Sequence, residues 1–205
     1  LRKIYKDDLE DTIVSFINAE TTKARGSLID VLKHGIEISN RQLDLMYTKP
    51  ATTFNPELTK KYGQNIFSVM EEVWASDKER IDVVIFLNGL AIISFELKCN
   101  TAGQSYQDAI YQYRTERSPK TRLFLFKAGC LVNFAMDLEE VYMTTKLAGP
   151  ATFFLPFNLG NNCGKGNPPN PNGHRTAYLW QEVFSKASLA NIIQHFMRLD
   201  GSTKD

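Results

Sequence analysis

The chain has 205 residues, 43% of them hydrophobic, which is enough apolar material to bury a core and excludes a disordered or low-complexity segment. Its 24 basic and 23 acidic residues leave a formal charge of +1, so no global positive field draws it to polyanions, and any nucleic-acid contact must be local. Cys99, Cys130 and Cys163 form neither a paired framework nor a CxxC, which argues for a reducing, cytoplasmic setting without structural zinc, and the most apolar stretch, Ile81 to Leu97, is interrupted too often for a membrane span.

The opening Leu-Arg-Lys-Ile-Tyr-Lys lacks both an initiator Met and an apolar signal core, so the chain is read as beginning after further residues. From Leu9 to Leu45 apolar residues recur at three and four, as in Leu9, Ile13, Phe16, Ile17 and then Leu28, Leu32, Ile36, which predicts two helical stretches. Thr48 to Pro56, with two prolines and little periodicity, reads as a loop toward the next patterned segment near Gln64. The period then changes. Asn65 to Ala75, Ile81 to Leu87 and Leu90 to Lys98 are rich in Ile, Val and Phe, and Asn88-Gly89 is a hairpin turn signal, so three antiparallel strands are expected.

Gly103 to Arg117 has helical chemistry closed by Ser118-Pro119. Leu123 and Leu125, Leu131 to Met136 and Val141 to Thr144 predict up to three short strands, the first reached by a crossover along the preceding helix. Leu159 to Gly173 is a Gly/Asn/Pro loop, and Tyr178 to Phe184 and Leu189 to Leu199 return to helical spacing. The fold class is α/β, a mixed central sheet flanked by helices. It is read as a single domain over 1–205, with N-terminal helices and loop at 1–60, a core at 61–150, and loop and C-terminal helices at 151–205.

Three charged groups punctuate the two apolar strands of the central hairpin: Asp82, Glu96 and Lys98. A carboxylate in such a strand carries a large desolvation cost unless it is paired or holds a metal. In an antiparallel hairpin Asp82 and Glu96 fall at the same end of the sheet, roughly one strand spacing of ~5 Å apart. A strict two-residue turn at Asn88-Gly89 pairs Leu87 with Leu90 and therefore Asp82 with Phe95, which puts the two carboxylates on opposite faces. Joint metal binding thus requires an irregularity, either a longer loop or a β-bulge, unless Asp82 sits in the approach to its strand. Met, such a site holds Mg²⁺ with open water positions beside an ammonium, the arrangement of metal-assisted phosphodiester hydrolysis. The alternative is that Asp82 caps an edge while Glu96 and Lys98 pair on a solvated face.

The Asp-(x)n-Glu-x-Lys pattern across a β-hairpin, followed by a helix and a strand, resembles the PD-(D/E)xK nuclease superfamily. More narrowly, Ile81 through Gly89, Phe95-Glu96-Leu97-Lys98, Gly103-Gln104, Asp108-Ala109-Ile110, Gln112-Tyr113-Arg114, Val141 through Lys146 and Phe154 through Asn158 are similar to the N-terminal endonuclease domain of the restriction (R) subunit of type I restriction-modification enzymes. The resemblance runs from about Leu28 to Phe196. It implies that Asp82, Glu96 and the Leu97 backbone carbonyl are metal ligands for Mg²⁺, with Mn²⁺ as a substitute, and that Lys98 is the catalytic lysine. It also implies a Gln-x-x-x-Tyr element, met by Gln107 and Tyr111 with Gln112 and Tyr113 in a competing register, and an upstream acid, Glu20 or Glu72. The family's proline before the Asp is Ile81 here.

By the same resemblance, the expected function is double-stranded DNA cleavage after ATP-driven translocation by motor domains outside this chain, in a complex with modification and specificity subunits. DNA contacts would involve Gln104, Gln107, Tyr111, Tyr113 and Arg114. The different-class alternative is a catalytically inactive nuclease-fold module for DNA docking or subunit assembly. Gly160-Asn161-Asn162-Cys163-Gly164-Lys165 is one residue short of a P-loop and lacks its Ser or Thr, so no ATP site is expected here. The basic run Arg114, Arg117, Lys120, Arg122 and Lys127 reads either as a phosphate-contacting patch or as a solvated helix end.

Overall fold

Residues 8–52 and 54–199 are described in a computed structural model. They sort into two units, one of residues 8–65 with 189–199 and the other of residues 66–188. The sequence division at 60/61 lies close to the first boundary, whereas that at 150/151 falls within the second unit.

In the first unit, helices α1 (Leu9–Thr22) and α2 (Leu28–His34) follow the three-and-four apolar spacing. Ser27 caps α2 by accepting from the Asp30 N–H at 3.1 Å. That helix stops sooner than its period suggests. Gly35 takes φ +69°, and a Cβ there would collide with the Leu43 carbonyl oxygen. Ile36, expected on the helix, therefore lies in β1 (Ile36–Ile38), which pairs antiparallel with β2 (Arg41–Leu43). The loop from Thr48 also leads into a helix the apolar pattern does not announce, α3 (Pro56–Gly63). Its signals are local: Pro56 in the first turn, and Asn55 Oδ1 accepting from the Glu57 and Leu58 N–H groups.

The second unit is built on a six-stranded mixed sheet whose spatial order follows the chain: β3 (Phe67–Ser76), β4 (Glu79–Leu87), β5 (Leu90–Leu97), β6 (Val132–Met136), β7 (Val141–Thr144) and β8 (Leu155–Pro156). β5 and β6 run parallel and the other neighbours antiparallel, so the chain must cross over between these two, and helix α4 (Tyr106–Thr115) lies in that connection. The strand expected at Leu123 and Leu125 is turn structure. Its backbone groups close tight turns, with the Phe124 N–H on the Thr121 carbonyl and the Ala128 and Gly129 N–H groups on the Leu125 carbonyl, and β6 takes the crossover position.

A capping box starts α4, Ser105 and Asp108 each holding the other's backbone N–H. The helix covers the sheet face that carries Ser94: Tyr113 is wholly buried and its hydroxyl lies 2.8 Å from Ser94 Oγ. Val84, Ala109, Phe124, Ala135 and Phe154 complete that core. The opposite face carries Phe95, which packs with Phe134 and Phe184 at ring-centroid distances of 5.3–5.5 Å, a further apolar layer within the same unit. Toward its C-terminus the chain forms a π-helical turn (Leu179–Val183), α5 (Lys186–Asn191) and a second π-helical turn (Ile192–Phe196). Among the described residues no helix is long and apolar enough to cross a membrane.

Candidate functional site

Asn88 and Gly89 close the β4–β5 hairpin as a two-residue turn, with φ of +50° and +83°, and set Leu87 against Leu90. Continued unbroken, that register would place Asp82 against Phe95. It breaks after two pairs. Phe86 pairs with Ala91 but Ile85 pairs with Ile93, so Ile92 is the extra residue of a bulge. The ladder then resumes with Val83 against Phe95, and Asp82 falls at the position opposite Glu96. The irregularity that a shared carboxylate site demands is thus present, as a bulge in the strand and not as a longer loop.

Asp82 is half-buried, and its Oδ2 accepts from the Leu97 N–H at 2.7 Å. Glu96 is wholly buried on the Ser94 face of β5. Its Oε1 accepts from Arg117 Nε at 2.7 Å, while its Oε2 is buried without a hydrogen-bond partner. Burial pushes the Glu96 carboxyl from 4.5 up to about 7; the Arg117 hydrogen bond and charge pull it back, the Asp82 charge raises it and the Lys98 charge lowers it. Lys98, just past the end of β5, is half-buried and is fixed at its backbone by donating to the Met136 carbonyl at 2.9 Å.

Two hard carboxylates, one of them with a buried oxygen that has no partner, suit a divalent cation. Among the described residues no three His, Cys, Asp or Glu side chains converge as a closed cage.

The residues expected at DNA divide sharply. Gln107 and Tyr111 lie one turn apart on α4 and both are exposed, as is Gln104 before the helix. Tyr113 is a correction: its fully buried ring packs against Phe124 and Phe154 and its hydroxyl serves Ser94, so it is a core residue that no duplex can reach. Gln112, in the competing register, is half-buried with its Oε1 lacking a partner. Arg114 is turned to its own chain, with Nε and Nη2 donating to the Thr152 carbonyl at 3.0 and 2.9 Å. Of the two upstream acids, Glu20 pairs with Lys23 in the first unit, whereas Glu72, at φ +55°, pairs with Arg80 in the second.

The basic run also loses a member to the interior, because Arg117 is 8% exposed and pairs with Glu96. Reading it as a surface charge misses the partner that a buried glutamate requires. The signal was Glu96 itself, since an anion amid Ile, Phe and Leu calls for a cation nearby.

Residues 3–152 match the family model described as the type I restriction enzyme R protein N terminus. The chain belongs to that family. No curated protein matches it, and no solved structure does. Within this R-protein N-terminal region the match spans the whole β4–β5 hairpin, α4 and Arg117, so the resemblance seen in the hairpin and the geometry of the carboxylates concern the same residues.

Proposed function

We propose that this R-protein N-terminal region is a Mg²⁺-dependent nuclease module that hydrolyses phosphodiester bonds of double-stranded DNA. The observation that carries the reading is the bulge that sets Asp82 opposite Glu96 while leaving Glu96 Oε2 buried and unpartnered. Asp82, Glu96 and the Leu97 carbonyl would hold the cation, with Mn²⁺ as a substitute. Bound there, the ion would polarise a phosphodiester oxygen and lower the pKa of water. Lys98, whose charge is felt at Glu96, would supply the ammonium that orients the attacking water and offsets charge on the phosphate as the bond breaks. Gln104 before α4 and Gln107 and Tyr111 on it are exposed polar and aromatic groups that suit backbone contact with a duplex.

Translocation fuelled by ATP is assigned to motor domains outside this chain, target recognition to partner modification and specificity subunits, and the location to the cytoplasm. A second reading, an inactive module for DNA docking or assembly, is favoured by the Arg117–Glu96 ion pair, which neutralises one carboxylate without a metal. A crystal soaked in Mn²⁺ separates the two. Anomalous density within about 2.5 Å of the Asp82 and Glu96 carboxylates is expected. No density in the wild type under conditions where the crystal binds Mn²⁺ elsewhere would leave the docking module.

A further inference from the structure

Arg117 holds Glu96 in an unusual way. A guanidinium that competes with a cation for a carboxylate does so as a fork, two parallel N–H groups taking both oxygens. Here only Nε reaches the carboxylate, at Oε1 and 2.7 Å. Nη2 donates instead to the Arg80 carbonyl in β4 at 3.1 Å, and Nη1 lies 3.8 Å from Glu116 Oε2. With Nε and Nη2 both hydrogen-bonded, the guanidinium is anchored to β5 and β4, and it cannot swing to cover Oε2 without breaking the Arg80 bond. The pair is deep, with Glu96 wholly buried and Arg117 8% exposed, so water does not take over the orienting role.

We infer that Arg117 is a positioning residue for the metal site: it grips Glu96 by one oxygen, fixes the plane of the carboxylate, and keeps the other oxygen open to a divalent cation. The inference rests on the metal-site reading above and adds to it the residue that makes Glu96 a directed ligand. Asp82 belongs to the same balance, because the charge it adds offsets the unfavourable proximity of the guanidinium to a bound cation.

The test is a Mn²⁺ titration of the chain followed by electron paramagnetic resonance, run beside thermal unfolding, for wild type, Asp82→Asn, Arg117→Lys and Arg117→Met. Wild type is expected to bind Mn²⁺ and Asp82→Asn to bind it at least tenfold more weakly. Arg117→Met should lose tenfold or more in affinity while still folded. Arg117→Lys, which can reach Oε1 but cannot also hold the Arg80 carbonyl, should recover part of that loss. A purely structural Arg117 would lower the melting temperature and leave the affinity of the folded protein alone. If Arg117→Met does not fold, Arg117→Lys decides alone, with a three- to tenfold loss expected. Affinity in the folded Arg117 variants equal to or above wild type overturns the positioning role and makes Arg117 a competitor. Wild type that binds no Mn²⁺, or binds it regardless of Asp82→Asn, overturns the metal site itself and the positioning role with it.

Discussion

Glu96→Gln makes the energetic cost of the site measurable. Because burial lifts the native Glu96 carboxyl above its unfolded value, the protonated form is favoured in the fold, and the stabilisation this brings is complete below about pH 4.5 and is lost as the pH climbs through about 7. The gap from 4.5 to about 7, at about 1.4 kcal/mol per pH unit, amounts to roughly 3–4 kcal/mol, of which about 3 falls between about pH 4 and pH 8. Gln has nearly the same shape, keeps an oxygen for Arg117 and does not titrate, so whatever the substitution costs or gains through Arg117 is the same at every pH. Wild-type stability minus that of Glu96→Gln, measured by urea unfolding in chelator, should therefore fall by about 3 kcal/mol between about pH 4 and pH 8. The rest of the titrating groups cancel in the difference. A flat difference, or one that rises with pH, would refute the reasoning, since it would mean that the ion pair outweighs desolvation and holds Glu96 at or below an ordinary carboxyl.

Lys98→Ala should abolish DNA cleavage by the assembled enzyme, a loss of about 100-fold or more, while Mn²⁺ affinity of the chain changes little; parallel loss of both would place Lys98 in ion binding instead. Tyr111→Ala and Tyr113→Ala should part company in thermal unfolding, the exposed ring costing about 0.5 kcal/mol or less and the buried one about 3–5 kcal/mol, and only Tyr111→Ala should weaken DNA binding without loss of fold. Ser105→Ala removes the side chain that caps α4 and should lower stability by about 1 kcal/mol in urea unfolding; no change would mean that the crossover packing alone holds the helix start.

The central hairpin was legible because period-2 apolar runs flank Asn88-Gly89, a dipeptide that accepts positive φ at both positions at little cost. What the run of letters does not carry is the bulge. Ile92 is one apolar residue among several, and its extra place in the ladder becomes apparent only from the pairing of Ile85 with Ile93. The demand for an irregularity followed from the two carboxylates; its location did not. The α2 end was misread because Ile36 keeps the helical spacing, while the decisive residue, Gly35, is forced by a close approach to Leu43 that no local pattern encodes. Tyr113 and Arg117 share a cause of error. Each has a polar tip that suits a surface, and each is drawn inward by a polar partner on β5, Ser94 for one and Glu96 for the other.

These two inward polar contacts and the bulge bear on one problem, how to place and aim a carboxylate inside an apolar sheet. The bulge decides which residue faces Glu96, since without it Asp82 would oppose Phe95 and the second charge would lie across the sheet. Tyr113 and Ser94 then fix the backbone and helix one pair of residues earlier on the same face of β5, which sets where the end of α4 arrives. Arg117 follows that end by two residues and meets Glu96 from within the fold. An anion placed by packing alone would protonate and relax toward neutrality. Placed between a guanidinium that takes one oxygen and a second carboxylate that disfavours a lone extra charge, Glu96 is left with an oxygen that only a proton or a cation can satisfy. The same burial that costs the fold stability at neutral pH is what makes that oxygen worth filling.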